Sequence, residues 1–311
     1  MTTVRDFASA TEDRFQKIQY LTNLMSILGL VSNQTPNQLF GAVSDDFWFW
    51  LNTEGYRKSA ILRQILPGMP EERVQQQSNG LSGDTALLDA LEIYKLFKRI
   101  FKENVGDLSA CSAVLDFGVG WGRVIRFFLK DIEPQKLWGI DHYEDVIDIC
   151  KQTNRWCNFQ LIEPFPPTTF ADNMFDLIFC YSVFSHLSED AHEKWVEEFG
   201  RILRPSGLLI ATTWQREFIT RCRDSRDEKN PAFWTTHLPN IFMDTEWWLD
   251  HYDNGGFCWE SAPEYGHISY YLGEACIPKG YVLNHWIKHF KFVDYIDDRK
   301  VCPQNVIVMK K

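Results

Sequence analysis

Residues 113–126 read Ala-Val-Leu-Asp-Phe-Gly-Val-Gly-Trp-Gly-Arg-Val-Ile-Arg, an apolar run that meets three glycines at alternate positions, Gly118, Gly120 and Gly122. A short apolar run closed by glycine reads as a buried strand. Glycine removes the Cβ where a ligand must approach backbone and tolerates positive φ. The helix that follows offers unpaired N–H groups and a partial positive charge to an anionic group. Strand, glycine loop and helix in that order point to an α/β fold with a nucleotide-like ligand at the carboxyl end of its first strand.

The spacing bears on which ligand. A dinucleotide loop is G-x-G-x-x-G, and Arg123 stands where its third glycine would fall. Asp116, two residues before Gly118, sets a carboxylate beside the loop, which suits an ammonium better than a pyrophosphate. Residues 137–140 form a second short apolar run, closed by Asp141. A carboxylate there accepts both hydroxyls of a ribose, or else caps the helical segment around Glu144.

Further along, residues 175–180 read as a strand, residues 181–187 as a polar and aromatic turn, and Ser188 as the cap of a helix with Glu189 and Asp190 in its first turn. Trp195, Val196, Phe199, Ile202 and Leu203 lie on one face of that helix, which stops at Arg204-Pro205-Ser206-Gly207 before a strand over 208–214. Residues 291–296 and 305–309 read as two strands too close in sequence for a helical crossover, hence antiparallel.

Over roughly residues 110–215, the glycine loop with Asp116 resembles motif I of the class I S-adenosylmethionine-dependent methyltransferases, and the Phe175-Asp176-Leu177-Ile178 strand with its Ser182-Val183-Phe184-Ser185-His186-Leu187 turn and the Leu203-Arg204-Pro205-Ser206-Gly207 turn resemble their motifs IV to VI, with the acid Asp141 between. The resemblance implies a Rossmann-like, seven-stranded mixed sheet with helices on both faces, and S-adenosylmethionine as cofactor. It implies that Gly118, Gly120 and Gly122 face the methionine tail and ribose, that Asp116 meets the amino group, and that Asp141 meets the ribose hydroxyls with His142 flanking the adenine. Arg123 binds the methionine carboxylate or pairs with Asp116. Glu163, at the end of a strand over 159–162, takes the adenine amine, with Asn158 as its rival. Tyr181, Ser182 and Phe184 lie near the sulfonium through backbone or ring contacts. His186, just past the fourth strand, is the candidate general base, or instead an anchor for the helix that follows; an imidazole titrating near pH 6.5 suits the task. His237, His267 and His285 are further candidates.

The strings Asp-Phe-Gly-Val-Gly-Trp-Gly-Arg and Ser-Val-Phe-Ser-His-Leu are similar to those of bacterial methyltransferases of glycans and natural products. O-methylation of a small molecule, natural product or glycan hydroxyl is therefore the leading expectation. N- or C-methylation of a natural product uses the same frame, and a nicotinamide-dependent oxidoreductase or a non-catalytic cofactor-binding protein shares the loop.

Charge speaks to the partner. With 32 Lys and Arg against 42 Asp and Glu, a net charge of −10 and no basic run, the chain of 311 residues lacks the footprint of a nucleic-acid enzyme. The turn Cys180-Tyr181-Ser182-Val183 also replaces the Asp/Asn-Pro-Pro-Tyr/Phe element common in methylation of base and amide nitrogens. No segment is apolar for long enough to span a membrane and no signal peptide is evident, so the expected location is cytoplasmic, without a membrane partner. The eight cysteines form no C-x-x-C pair, which indicates reduced thiols and no metal site.

Organisation follows. Residues 1–108 read as a helical N-terminal cap, with one stripe of Phe15, Ile18, Leu21, Met25 and Leu28 and another of Leu87, Leu91, Tyr94, Phe97 and Phe101 behind Asp84 as cap; Ser44 caps an aromatic helix between them. These helices either line the acceptor pocket or serve as a structural collar or homodimer contact. Residues 109–311 form the main domain. Its segment 216–280 is an aromatic-rich insertion before the last two strands, including Phe233, Trp234, Trp247, Trp248, Trp259, Tyr270 and Tyr271, either a lid with substrate contacts or simple packing.

Overall fold

Strand β1 (Val114–Phe117) is buried at every residue because helices cover both faces of the sheet it centres. The computed structural model describes residues 34–229, 235–261 and 263–311. Its main sheet has seven strands in the order β3-β2-β1-β4-β5-β9-β8, with β2 at Leu137–Asp141, β3 at Asn158–Leu161, β4 at Phe175–Cys180, β5 at Leu203–Thr213, β8 at Lys291–Ile296 and β9 at Asn305–Lys310. The first five are parallel and the last pair antiparallel. The order reverses between β1 and β4, and at such a switch point the flanking loops diverge to open a crevice at the carboxyl ends of the strands. Gly118 and Tyr181 begin those two loops.

The helices are α1 (Pro36–Phe40), α2 (Asp45–Trp50), α3 (Tyr56–Lys58), α4 (Ala60–Ile65), α5 (Glu72–Asn79), α6 (Gly83–Asn104), α7 (Ile125–Phe128), α8 (Glu144–Thr153), α9 (Glu189–Ile202), α10 (Glu217–Asp224), α11 (Thr245–Asp253) and α12 (Lys279–His285). Alternation along the strands divides the core. Val114, Leu177, Phe179, Leu208, Ile210 and Val308 face α6, whose Leu87, Leu91, Tyr94, Phe97 and Phe101 pack with Phe127 and Phe128. Leu115, Phe117, Ile178, Leu209, Ile307 and Met309 face α9 and the segment around Trp286. The helices from α2 to α6 are thus one layer of the sheet packing, and Trp48 Nε1 donates to the Phe127 carbonyl at 3.1 Å.

Local signals decide most element ends. Ser44 and Ser188 accept from the backbone N–H groups of Phe47 at 3.2 Å and Ala191 at 3.4 Å, each capping its helix as expected. Asp84 does not cap α6. Ser82 holds the N-cap position, and Asp84 in the first turn pairs with Arg57. β3 begins one residue earlier than expected, and β5 begins at Leu203 rather than 208. The expected Arg204–Gly207 turn stays within β5 because Ser206, at φ +68°, and a register shift against β4 absorb it while Lys311 pairs alongside.

Within the insertion, α10, α11 and a hairpin of β6 (Cys258–Glu260) and β7 (Glu274–Cys276) share a small core of Phe218, Ile219, Leu238, Phe242 and Tyr252. The hairpin is bonded to the main domain: the N–H groups of Gly273 and Ala275 donate to the carbonyls of His186 (2.8 Å) and Ser185 (2.7 Å), and Ser188 N–H donates to Tyr271 O (2.8 Å). The stripe from Phe15 to Leu28, and Phe233 and Trp234, lie outside the described residues. All eight cysteines are free thiols, seven of them buried. No helix among the described residues is long and apolar enough to cross a membrane.

Candidate functional site

The glycine loop is fixed by backbone before any ligand arrives. Gly118, Gly120 and Gly122 have φ of +73°, +52° and +79°, a region closed to most side chains. The N–H groups of Gly118 and Val119 both donate to Ile140 O, at 2.9 and 3.0 Å, tying the loop to the end of β2. Cys150 Sγ donates to Gly120 O at 3.0 Å. At Gly118 a Cβ would be driven into Val183 Cγ2, so the loop lies flush against the turn after β4.

Asp141 closes the cradle. Its Oδ2 accepts from Gly120 N–H at 3.1 Å and its Oδ1 from Tyr143 N–H at 3.2 Å. Tyr143, not Asp141, is the N-cap of α8, so helix capping does not explain the carboxylate. Burial pushes its pKa up, against the pull of His142 and the two amides. His142 is held neutral by burial, its pKa lowered. Its Nδ1 is 3.5 Å from Asp141 Oδ1, and its Nε2 is buried with no hydrogen-bond partner among the described residues. An orphaned buried nitrogen beside a ribose-type acid is what a bound polar ligand would satisfy. Tyr143, Phe165 and Tyr271 wall that end: Tyr271 meets His142 edge-on at 5.8 Å and Phe165 at 5.8 Å.

Asp116 is 3% exposed and has no ion pair among the described residues. Burial raises its pKa well above the usual carboxylate range, opposed by the charge of Arg123. Arg123 does not pair with Asp116: α6 brings Asp89 to its guanidinium, which also lies 5.1 Å over the Tyr181 ring. That partner sits outside the motif, where loop sequence alone carries no signal. The raised pKa has a stability consequence. Below its unfolded value near 4 the carboxyl is protonated in both states and costs nothing, and as pH rises toward the folded value the unfolded chain alone ionises, so the cost grows. Asp116→Asn is therefore expected to stabilise the ligand-free protein at neutral pH and to lose that advantage below about pH 4; urea denaturation at the two pH values checks this.

The remaining expected residues separate. Glu163 is exposed, just past the carboxyl end of β3. Its rival Asn158 starts β3 at the opposite end and donates to Gln135 O and Leu137 O, which removes it from the site. Ser182, at φ +59°, donates its N–H to Thr212 Oγ1 at 2.8 Å, and its Oγ accepts from Gln304 at 3.1 Å. Phe184 is fully buried, edge-on to His192 at 4.9 Å and Trp286 at 5.5 Å. Its ring is a core side chain, so only its backbone is left to face the reacting centre.

His186 keeps a side-chain exposure of 30%, enough to be reached. Its Nδ1 is 3.1 Å from Gly273 O and 3.4 Å from Glu274 Oε2. Both neighbours are acceptors, so Nδ1 carries the proton and the neutral ring has its lone pair on Nε2. Burial alone would lower the His186 pKa, but Glu274 and the Gly273 carbonyl outweigh it and the pKa is raised. Glu274, 2% exposed, accepts from Trp214 Nε1 (2.6 Å) and Tyr265 OH (3.0 Å) and is bonded to His237 Nε2 (2.8 Å). Despite burial, the paired imidazoles hold its pKa down at about 2. Sequence reasoning passed over Glu274, which sits in no motif and meets His186 only through the docking of the hairpin. Among the described residues there is no His, Cys, Asp and Glu group suited to a metal ion. Cradle, acids and an oriented imidazole at one strand edge could hold an adenosyl amino acid and remove a proton beside it.

A family model described as a methyltransferase domain matches residues 114–207. A curated relative, the tRNA N(3)-methylcytidine methyltransferase trm140 of Schizosaccharomyces pombe, is 27% identical over 142 residues, 41% of this chain. The match covers 43% of that relative, so the chain spans less than half of its length. Among solved structures, the PH0226 protein from Pyrococcus horikoshii OT3 is 15% identical with a TM-score of 0.48, covering 83% of this chain and 98% of that one. An S-adenosylmethionine-dependent methyltransferase from Mesorhizobium loti is 10% identical with a TM-score of 0.46, covering 68% and 96%.

Proposed function

The chain carries a class I S-adenosylmethionine-dependent methyltransferase domain, and from that premise we propose that it methylates a hydroxyl group of a small molecule, natural product or glycan in the cytoplasm. The residues of the cradle fit the cofactor: among the described residues buried Asp116 has no ion-pair partner, Asp141 accepts one amide on each oxygen and so has lone pairs to spare, and His142 Nε2 has no hydrogen-bond partner. Bound there, S-adenosylmethionine supplies a methyl carbon made electrophilic by its sulfonium. Asp116 offers its charge to the ammonium, the Gly118–Gly122 backbone admits the tail, and Asp141 accepts the ribose hydroxyls. Glu163 and the aromatic wall of Tyr143, Phe165 and Tyr271 take the adenine end. His186 accepts the proton of the acceptor hydroxyl at Nε2, so that the oxygen attacks as an alkoxide in the making.

The single observation that carries this reading is the tethering of His186 by Nδ1 at the turn after β4, with the other nitrogen left over in a partly exposed ring. The curated relative's name would favour a tRNA acceptor, but 32 basic against 42 acidic residues argues for a neutral or cationic partner. N- and C-methylation use the same cradle and need the base less.

His186→Ala is expected to leave the affinity for S-adenosylhomocysteine nearly unchanged and to cut turnover at least tenfold. A methyl-donor assay against a panel of sugars, phenols and amines, read by mass shift, supplies the acceptor. Unchanged turnover rejects the base. Calorimetric titration with NAD and with S-adenosylhomocysteine separates the oxidoreductase reading, which tight binding of NAD alone would establish. Because the base works unprotonated and its pKa is raised, kcat/KM should climb with pH through a limb lying above 6.5.

A further inference from the structure

We infer that Glu274, delivered by the insertion, is the positioning residue of the base: beside the Gly273 carbonyl that bonds Nδ1, its carboxylate sets a negative charge against that side of the His186 ring and leaves proton acceptance to Nε2. The inference rests on the reading of His186 as the base. Backbone bonds set the register. Gly273 N–H and Ala275 N–H donate to the carbonyls of His186 and Ser185, so the residue between them faces the His186 ring. Trp259 Nε1 adds a bond to His186 O at 3.3 Å. The carboxylate is then shared by groups from three places in the chain: Trp214 at the end of β5, His237 and Tyr265 within the insertion, and His186 on the core turn.

Packing alone gives no reason for a charge at this spot. A buried carboxylate is costly unless fully bonded, and an apolar residue of similar volume usually serves stability as well or better. The Gly273 carbonyl already fixes the tautomer, and what Glu274 adds is a counter-charge. When Nε2 takes the proton from a hydroxyl, the resulting imidazolium stands beside the carboxylate, and no further proton moves. The insertion is therefore part of the catalytic apparatus, because without the docked hairpin His186 loses both partners of Nδ1. The titratable groups facing this pair are Glu274 itself, His237 and Tyr265 bonded to it, and the thiols of Cys222 and Cys276, whose pKa values its charge helps to raise.

The test uses the full chain, labelled with 15N and observed by long-range 1H–15N spectra, with the His186 ring assigned by its loss in His186→Ala. The wild type is expected to show the Nδ1–H tautomer at high pH and a titration midpoint above that of an exposed histidine. Glu274→Gln should bring the midpoint down to or below the exposed value, and Glu274→Asp should restore part of the rise. In the methyl-donor assay Glu274→Gln should lower kcat at least tenfold and move the pH limb down, with the KM for S-adenosylmethionine unchanged. An Nε2–H tautomer in the wild type, or an unmoved midpoint in Glu274→Gln, overturns the inference. If Glu274→Gln does not fold, the wild-type midpoint decides: a value at or below that of an exposed histidine overturns the inference. The spectra need no acceptor, so they fail or succeed apart from the proposal of O-methylation, which the turnover of His186→Ala tests.

Discussion

Alanine at position 141 is expected to weaken binding of S-adenosylhomocysteine by about 100-fold. A hydrogen bond from a neutral hydroxyl to a charged carboxylate contributes roughly 1.5–3 kcal/mol, so losing two such bonds exceeds the ~2.7 kcal/mol that a hundredfold change represents. The lower figure allows for replacement of the carboxylate by water. Part of the loss comes from the protein itself, because Gly120 N–H and Tyr143 N–H lose the acceptor that holds the loop against β2. Asp141→Asn, whose amide oxygen can still accept one of these bonds, should lose less. Isothermal titration gives both constants, and an unaltered dissociation constant for the alanine variant would remove Asp141 from the site.

Gly118→Ala should be more damaging still, affecting affinity and stability together. The backbone there has φ +73°, and the added Cβ would collide with Val183 Cγ2. The left-handed conformation alone costs about 1–2 kcal/mol for an alanine, and the collision forces the loop away from the turn after β4. Cofactor affinity should fall by at least tenfold, with a lower thermal midpoint in calorimetry. Adding Val183→Ala removes the collision but leaves the backbone strain, so the double variant should recover part of the stability. Gly83 is the control: its φ is +59° and nothing lies within 4 Å of a Cβ there. An alanine at 83 should show the backbone cost without a loss of affinity, and equal behaviour at the two positions would contradict the packing argument.

Much of the fold is legible in short segments. β1 and its glycines, the Ser188 cap with the apolar face of α9, and the terminal strand pair are each encoded by residues within a turn or two of one another. Asp116 and Asp141 are legible for the same reason, being pinned to strand ends beside the loop. A turn sequence does not say which of its side chains the next helix will bury, and His192 of α9 and Trp286 beyond α12 make that choice for the Phe184 ring. Asn158 fails because it begins β3, whereas the crevice lies at the other, carboxyl end of the strands. Asp89 and Glu274 carry no local signal at all.

By itself the sequence determined the succession of strands and helices, the glycine loop and the acids at the ends of β1 and β2, because period, glycine placement and strand ends are local properties that neighbours in the chain enforce. Only the tertiary structure decided how those parts are completed: α6 places Asp89 against Arg123, and the hairpin of the insertion places Glu274 against His186. Such contacts depend on which apolar faces pack together, and a single carboxylate distant in the chain acquires its role only once that packing has withdrawn it from water.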